Sequence, residues 1–179
     1  MLRAAEAALE VRGVQHLSLR ELSRELGVSH ASPQRHFATK QDLIDALAIM
    51  GYERLSSVVA KAAKTRRQDF NARLTKAAFA YVGFALKHPG LFALMFEAKR
   101  RAGMLPELKT ALIAAYSQIP KILKEGQEAG KIVAGDPERL ALHGLVAMSI
   151  DGKIKGAPLK AIVPETVEHV LKGLSTNKT

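Results

Sequence analysis

Apolar residues recur at spacings of three and four along nearly the whole chain, so the pattern predicts helices almost from end to end. The first covers residues 3–12, with Ala5, Ala8 and Leu9 on one face and Gly13 as its stop. Leu19, Leu22 and Leu26 share a face of a second helix that opens at Ser18. From Thr39, the positions Leu43, Leu47, Met50, Leu55 and Val58 or Val59 keep the period of one long helix. That period first fails over residues 63–68, which marks the boundary between two parts of the chain. Asp69 or Asn71 can cap the next helix, which runs to about His88. Its Phe79, Tyr81, Val82, Phe84 and Leu86 make it apolar almost all round, the mark of a helix enclosed by others. After a Pro89-Gly90 turn, a short apolar helix covers residues 91–97 and a loop covers 100–106. Pro106 starts a helix that continues toward Gly130, with a kink expected at Pro120. Asp136 as N-cap and Pro137 at the first helical position open a further helix to about Lys155. A loop over 156–164 leads to a last helix ending near Leu174. The expected class is all-α, an N-terminal three-helix bundle followed by a larger antiparallel helical domain.

Punctuation is densest between residues 18 and 40. Ser18 with Glu21 three residues on reads as a capping box. Gly27 supplies the corner that ends the helix, Val28 returns apolar surface to the core, and Ser29 is placed to cap a short helix through His36. Thr39 with Asp42 is a second capping box. Two short helices about a glycine corner make a helix-turn-helix unit, in which the first crosses the DNA backbone and the second enters the major groove. His30, Ala31, Ser32 and Gln34 are then placed to meet base edges, with Arg35 and His36 nearer the backbone. Ser18, Thr39, Lys40 and the helix N-terminal amides are placed on phosphates, and Ser29 at the start of the second helix belongs to the same DNA-binding set. Pro33, early in that helix, costs at most about one backbone hydrogen bond.

Over these positions the chain resembles the TetR family of bacterial one-component transcription regulators. That family carries a leucine-rich helix, a GVS corner, an aromatic-x-His-Phe signature and then S/T-K-x-x-L. Gly27-Val28-Ser29, Arg35-His36-Phe37 and Thr39-Lys40-Gln41-Asp42-Leu43 match as written. Gln34 stands where the family usually has Tyr, an aromatic that commonly contacts a DNA phosphate; Gln34 either makes that contact more weakly or pairs with adenine. Together with the pattern, the resemblance implies a DNA-binding domain over residues 1–47, whose helix from 40 bridges to about 65, and a ligand-binding and dimerisation domain over 68–179.

In the second part, three apolar stretches either fill a core or line a cavity. The density of Phe and Met and the expected kink favour an adaptable apolar pocket. Its expected contacts are Phe79, Val82, Phe92, Met95, Phe96, Leu112, Tyr116 and Ile119, with His143 or Asp151 fixing a polar group of the ligand. The segment from Lys87 to Phe96 and the later Gly135-Asp136-Pro137 look like the WHG type of TetR-family ligand-binding domain. The chain has no Trp, and Asp151-Gly152 stands where that type has His-Gly. One short recognition helix reads only a few base pairs, so specificity calls for a two-fold dimer on a palindromic site. Leu140, Leu145, Val146, Met148 and Ile150, with Val167, Val170, Leu171 and Leu174, can form a four-helix interface across that axis. The resemblance implies the same homodimer.

A formal charge of +10 suits a polyanionic partner, although the basic excess is spread over both parts of the chain. The absence of cysteine excludes disulfide frameworks, Cys-ligated zinc and thiol nucleophiles, and suits a reducing cytoplasm. Met1-Leu2-Arg3 runs straight into a helix carrying Glu6 and Glu10, without the apolar core of a signal peptide. The uncharged stretches, residues 77–86 among them, are far shorter than the ~20 apolar residues of a membrane span. A cytoplasmic protein without a membrane partner is expected. Histidines at 16, 30, 36, 88, 143 and 169 show no metal-ligand spacing, and neither a Gly-rich phosphate loop nor a G-x-S-x-G elbow is present. No catalytic residue, metal or cofactor is therefore expected. The expectation is a repressor that binds a palindromic double-stranded operator as a homodimer and is released by a small, largely apolar effector with unequal affinity for two conformers. An activator or corepressor-dependent regulator, a DNA-binding protein with a filled core, and a helical enzyme or carrier using only the second part are the alternatives.

Overall fold

The computed structural model describes residues 1–27, 37–64, 69–101, 103–133, 135 and 167–168. Among them seven α-helices follow in order: α1 (Leu2–Arg12), α2 (Leu19–Glu25), α3 (Lys40–Ala63), α4 (Phe70–Lys87), α5 (Pro89–Arg100), α6 (Pro106–Tyr116) and α7 (Gln118–Glu128). A 3₁₀ turn, Val14–His16, joins the first two. The class is all-α, as the apolar pattern predicts. The helix expected over 29–36, the helices expected after Asp136, and all the interface residues named above except Val167 lie outside the described residues; Val167 is buried.

Local chemistry places the helix ends. Gly13 ends α1 at φ 78°, and Gly27 follows α2 at φ 63°, both in the left-handed region that costs glycine least. Ser18 caps α2 by accepting the Glu21 N–H at 3.4 Å, while the Glu21 carboxylate turns towards Arg12 at 3.9 Å instead of reaching back. The Thr39 box closes from both sides: the Thr39 N–H donates to Asp42 Oδ2 at 2.8 Å and the Asp42 N–H to Thr39 Oγ1 at 3.1 Å. Asp69 caps α4, its carboxylate accepting the Phe70 and Asn71 N–H groups. Pro89 occupies the first turn of α5, which is longer at both ends than the apolar run alone predicts.

Three expectations need correction. Pro120 does not kink a continuous helix; the chain breaks at Ser117, and Pro120 falls in the first turn of α7, where its missing N–H would have no helical partner. Leu26 shares the period of Leu22 but stands 41% exposed at the end of α2, where Leu22 is 1% exposed. α4 is not apolar-buried all round, because Leu86 in its last turn is 50% exposed although Val82 and Phe84 are buried.

The chain forms two compact units. The first comprises Met1–Leu55 with Phe84–Ala114. Its core holds Leu9, Leu22, Leu43, Leu47, Tyr52, Leu91, Met95 and Leu108. Here α5 lies antiparallel to α3 so closely that a Cβ on Gly51 would stand 2.6 Å from Met95 Sδ and 3.2 Å from Leu91 Cγ. The Tyr52 hydroxyl, fully buried, donates to the Met95 carbonyl at 2.8 Å.

The second unit comprises Ser56–Gly83 with the residues from Ala115 onward. Val59, Phe70, Leu74, Ala77, Val82, Ile122, Leu123 and Ile132 are among its buried residues. The Phe70 ring lies flush on Gly126, whose missing Cβ would stand 2.6 Å from Phe70 Cζ. Arg73 donates to the Ala63 carbonyl at 3.1 Å and pairs with Glu125 at 2.7 Å.

Candidate nucleic-acid interface

Three of the residues expected on DNA are described. Ser18 and Thr39 are both N-cap residues, so each marks a helix start with unsatisfied N–H groups and a positive dipole end, the combination that favours an anion. Lys40 opens α3 and is exposed; its ammonium donates to the Gln15 carbonyl at 2.9 Å, which holds the charge beside the 3₁₀ turn. Ser29, His30, Ala31, Ser32, Gln34, Arg35 and His36 lie outside the described residues. Arg20 and Arg24, four apart and exposed on α2, were not singled out by the sequence reading. Their signal was the helical spacing of two cations on a helix expected to cross the phosphate backbone.

The helices carrying these groups are held by polar contacts from far along the chain. Glu10 of α1 accepts the Gly90 N–H at 2.8 Å and the Leu91 N–H at 3.0 Å, capping α5 from another helix. Glu6, one turn earlier, takes Arg54 NH1 on both carboxylate oxygens at 2.7 Å. His88 bridges the same pair, with Nδ1 3.2 Å from Glu6 Oε1 and Nε2 3.2 Å from Arg54 NH2. A neutral ring protonated on Nδ1 satisfies both contacts, donating to Glu6 and accepting from Arg54. At the other end of α5, Arg101 NH2 meets the buried Asp45 carboxylate at 2.5 Å, and Gln41 adds a hydrogen bond at 3.1 Å. None of these pairs was expected. The signal available was indirect: His88 makes no side-chain cap, so the first N–H groups of α5 needed an acceptor from elsewhere.

The residues expected on an effector fall in both units. Phe92, Met95, Phe96 and Leu112 belong to the first, where the Phe92 and Phe96 rings stand 5.0 Å apart and Met95 is fully buried against Gly51. Phe79, Val82, Tyr116 and Ile119 belong to the second, with Val82 buried and the other three half-buried. Burial raises the Tyr116 phenol above its ordinary pKa of 10.0. His143 and Asp151 lie outside the described residues. Among the described residues no group of three or more His, Cys, Asp or Glu is placed to hold a metal ion, and no single helix is long and apolar enough to cross a membrane.

Comparison with known proteins places this architecture. Residues 1–47 match the family described as bacterial regulatory proteins, tetR family, and residues 74–174 match the tetracyclin repressor-like C-terminal domain. The chain belongs to the TetR family. Members of that family are DNA-binding transcriptional regulators rather than enzymes, and this TetR-family chain carries both of the parts that define it. A solved protein of unknown function from Rhodococcus sp. RHA1 is 39% identical, with a TM-score of 0.86 over 97% of this chain and 93% of that one. The TetR-family regulator PfmR from Thermus thermophilus shares the fold at 18% identity, with a TM-score of 0.72 over 97% of this chain and 98% of its own. Nucleoid occlusion factor SlmA of Yersinia enterocolitica is 31% identical over 123 residues, 64% of this chain and 62% of the relative. The chain thus spans about three fifths of the length of the curated relatives it matches.

Proposed function

We propose that this TetR-family chain is a one-component repressor that binds a palindromic operator as a homodimer in the cytoplasm and leaves it when a small, largely apolar effector binds. The observation that carries the proposal is the order of the two family matches, a DNA-binding head over 1–47 followed by a tetracyclin repressor-like domain over 74–174. In this reading residues 1–47 form the DNA-binding domain, the helix from 40 bridges to about 65, and residues 68–179 bind the effector and dimerise. His30, Ala31, Ser32 and Gln34 meet base edges; Ser18, Ser29, Arg35, His36, Thr39 and Lys40 set the register on phosphates. The residues proposed for the effector are those of the sequence reading, Phe79, Val82, Phe92, Met95, Phe96, Leu112, Tyr116 and Ile119, with His143 or Asp151 for its polar group.

Selection of bound duplexes from a random library near physiological salt tests the proposal, with Gln34→Ala as control. A palindromic consensus that loses one base preference in the control is the expected result. Recovery of unrelated, salt-sensitive duplexes alone would defeat it.

One observation favours a second reading, a regulator whose core is already filled. Met95 and Leu91 are both 0% exposed, and Met95 lies in contact with Gly51. An unchanged melting temperature across a panel of apolar compounds would select that reading; a rise of several degrees with one of them would select the effector-gated form.

A further inference from the structure

We infer that Arg12, at the end of α1, is a positioning residue for DNA binding: it holds Glu25 and draws Glu21 to itself, and so leaves Arg24 of α2 available to an operator phosphate. The inference rests on the reading of α2 as the helix that crosses the phosphate backbone. Arg12 NH2 stands 2.6 Å from Glu25 Oε1 and NH1 3.9 Å from Glu21 Oε2. The two acids are about one turn apart on α2, so one guanidinium from α1 reaches both. Arg20 and Arg24, at the same spacing, are exposed, and among the described residues neither makes an ion pair.

Within α2 the two cations stand differently. Positions three apart are neighbours on a helix surface, so the partner that Glu21 would find on its own helix is Arg24. Arg20 has Ser23 and Arg24 at the corresponding spacings and no acid, which makes it an internal control. An arginine engaged by a carboxylate must give up that contact before it meets a phosphate, and the worth of the pair is then subtracted from the affinity. Glu21 pairs instead with Arg12, on another helix. The side chains of Arg12, Glu21 and Glu25 are 40%, 47% and 40% exposed, which limits the effect to at most about fivefold. His16 turns its ring to the Arg12 carbonyl and not to the guanidinium. Of the other acids in this unit, Glu10 is held by the Gly90 and Leu91 N–H groups, Glu6 by Arg54, Asp42 by the Thr39 N–H and Asp45 by Arg101. Their charges are common to the parent and to variants of Arg12, Glu21 and Arg24, so they cancel in a comparison among these.

The test is a double-mutant cycle in affinity for a selected operator, with the full chain at fixed salt. Arg24→Ala alone should weaken binding about three- to fivefold and flatten the slope of log affinity on log salt by about 1. Arg12→Gln should weaken it about two- to fivefold. In the Arg12→Gln background Arg24→Ala should cost less than about twofold more, because Glu21 has already engaged Arg24. Arg20→Ala should cost the same factor in both backgrounds. Adding Glu21→Gln to Arg12→Gln should restore the full Arg24→Ala factor, although Glu25 still lacks its partner. An Arg12 that only supports the fold would lower the melting temperature and leave the Arg24→Ala factor unchanged. Equal Arg24→Ala factors in the two backgrounds therefore overturn the inference, and so does an Arg24→Ala variant that binds as the parent does. A parent protein that binds no duplex overturns the regulator proposal along with it, whereas a binding parent with additive losses overturns this inference alone.

Discussion

Each of the two units is held together internally by a different kind of contact. In the first, helices far apart in sequence meet through polar and charged groups largely withdrawn from water: the side chains of Glu6, His88 and Asp45 are 14%, 17% and 6% exposed. In the second, the pairs lie nearer the surface, Lys131 and Asp69 being 47% and 62% exposed, and the tight contact is a bare glycine under the Phe70 ring. A half-buried ion pair adds little net stability but tolerates only one geometry, because either partner left alone inside is costly. Apolar packing stabilises more and specifies register less sharply. Directional contacts are therefore found where α1, α3 and α5 must keep a fixed register beneath the proposed DNA surface.

If that contrast is sound, substitutions in the first unit should be asymmetric between partners. Arg101→Ala strands the Asp45 carboxylate and should cost about 3 kcal/mol by denaturant unfolding, whereas Asp45→Ala, which leaves Arg101 able to turn to water, should cost about 1. Equal losses would mean that Asp45 is rescued by Gln41 or solvent. In the second unit, Gly126→Ala drives a methyl into a stiff ring and should cost about 2 kcal/mol despite the better helix propensity of Ala. Gly51→Ala should cost less, because the flexible Met95 side chain can give way. Glu10→Ala should cost about 1 kcal/mol, in the range of a lost helix cap, and should speed amide exchange at Gly90 and Leu91 while Glu10→Gln restores part of the protection.

The smallest effect belongs to Asp69. The hydrogen bond from Lys131 is the main cause that holds its carboxyl below the ordinary value of 3.8. A group whose pKa is lowered on folding stabilises the fold above its unfolded value and loses that contribution as pH falls through its folded one. Melting temperature should thus decline as pH drops below about 4, and less so in Lys131→Ala. Parallel curves for the two proteins would show that the pair contributes nothing measurable.

Much of the punctuation was legible because caps and corners are local. Ser18, Thr39 and Asp69 open helices where their own neighbours supply the donors, and Gly13 and Gly27 end them because few other residues adopt their backbone. The extent of each apolar face was less legible. Leu26, Val58 and Leu86 keep helical period yet stand 41%, 39% and 50% exposed, since periodicity names a face and not what covers it. Pro120 was misplaced for a similar reason: a proline is equally at home in the first turn of a new helix, and nothing in Ser117-Gln118 announces the break. Of the DNA-contact set, sequence placed Ser18, Thr39 and Lys40 at helix starts, and the structure finds them there. Glu6, Glu10 and Asp45 could not be found in this way, because their partners lie 48 to 81 residues away.

That separation bears on how the molecule is born. The amides that start α5 find their acceptor in Glu10, 80 and 81 positions earlier. During synthesis α1 emerges with Glu6 and Glu10 unmatched and waits until residues beyond Leu91 have left the ribosome. The head then matures late, as part of a loop of high contact order, and not as the first autonomous piece of the chain. A nascent chain stopped near residue 65 would display the whole DNA-binding motif and still lack the helix that completes it.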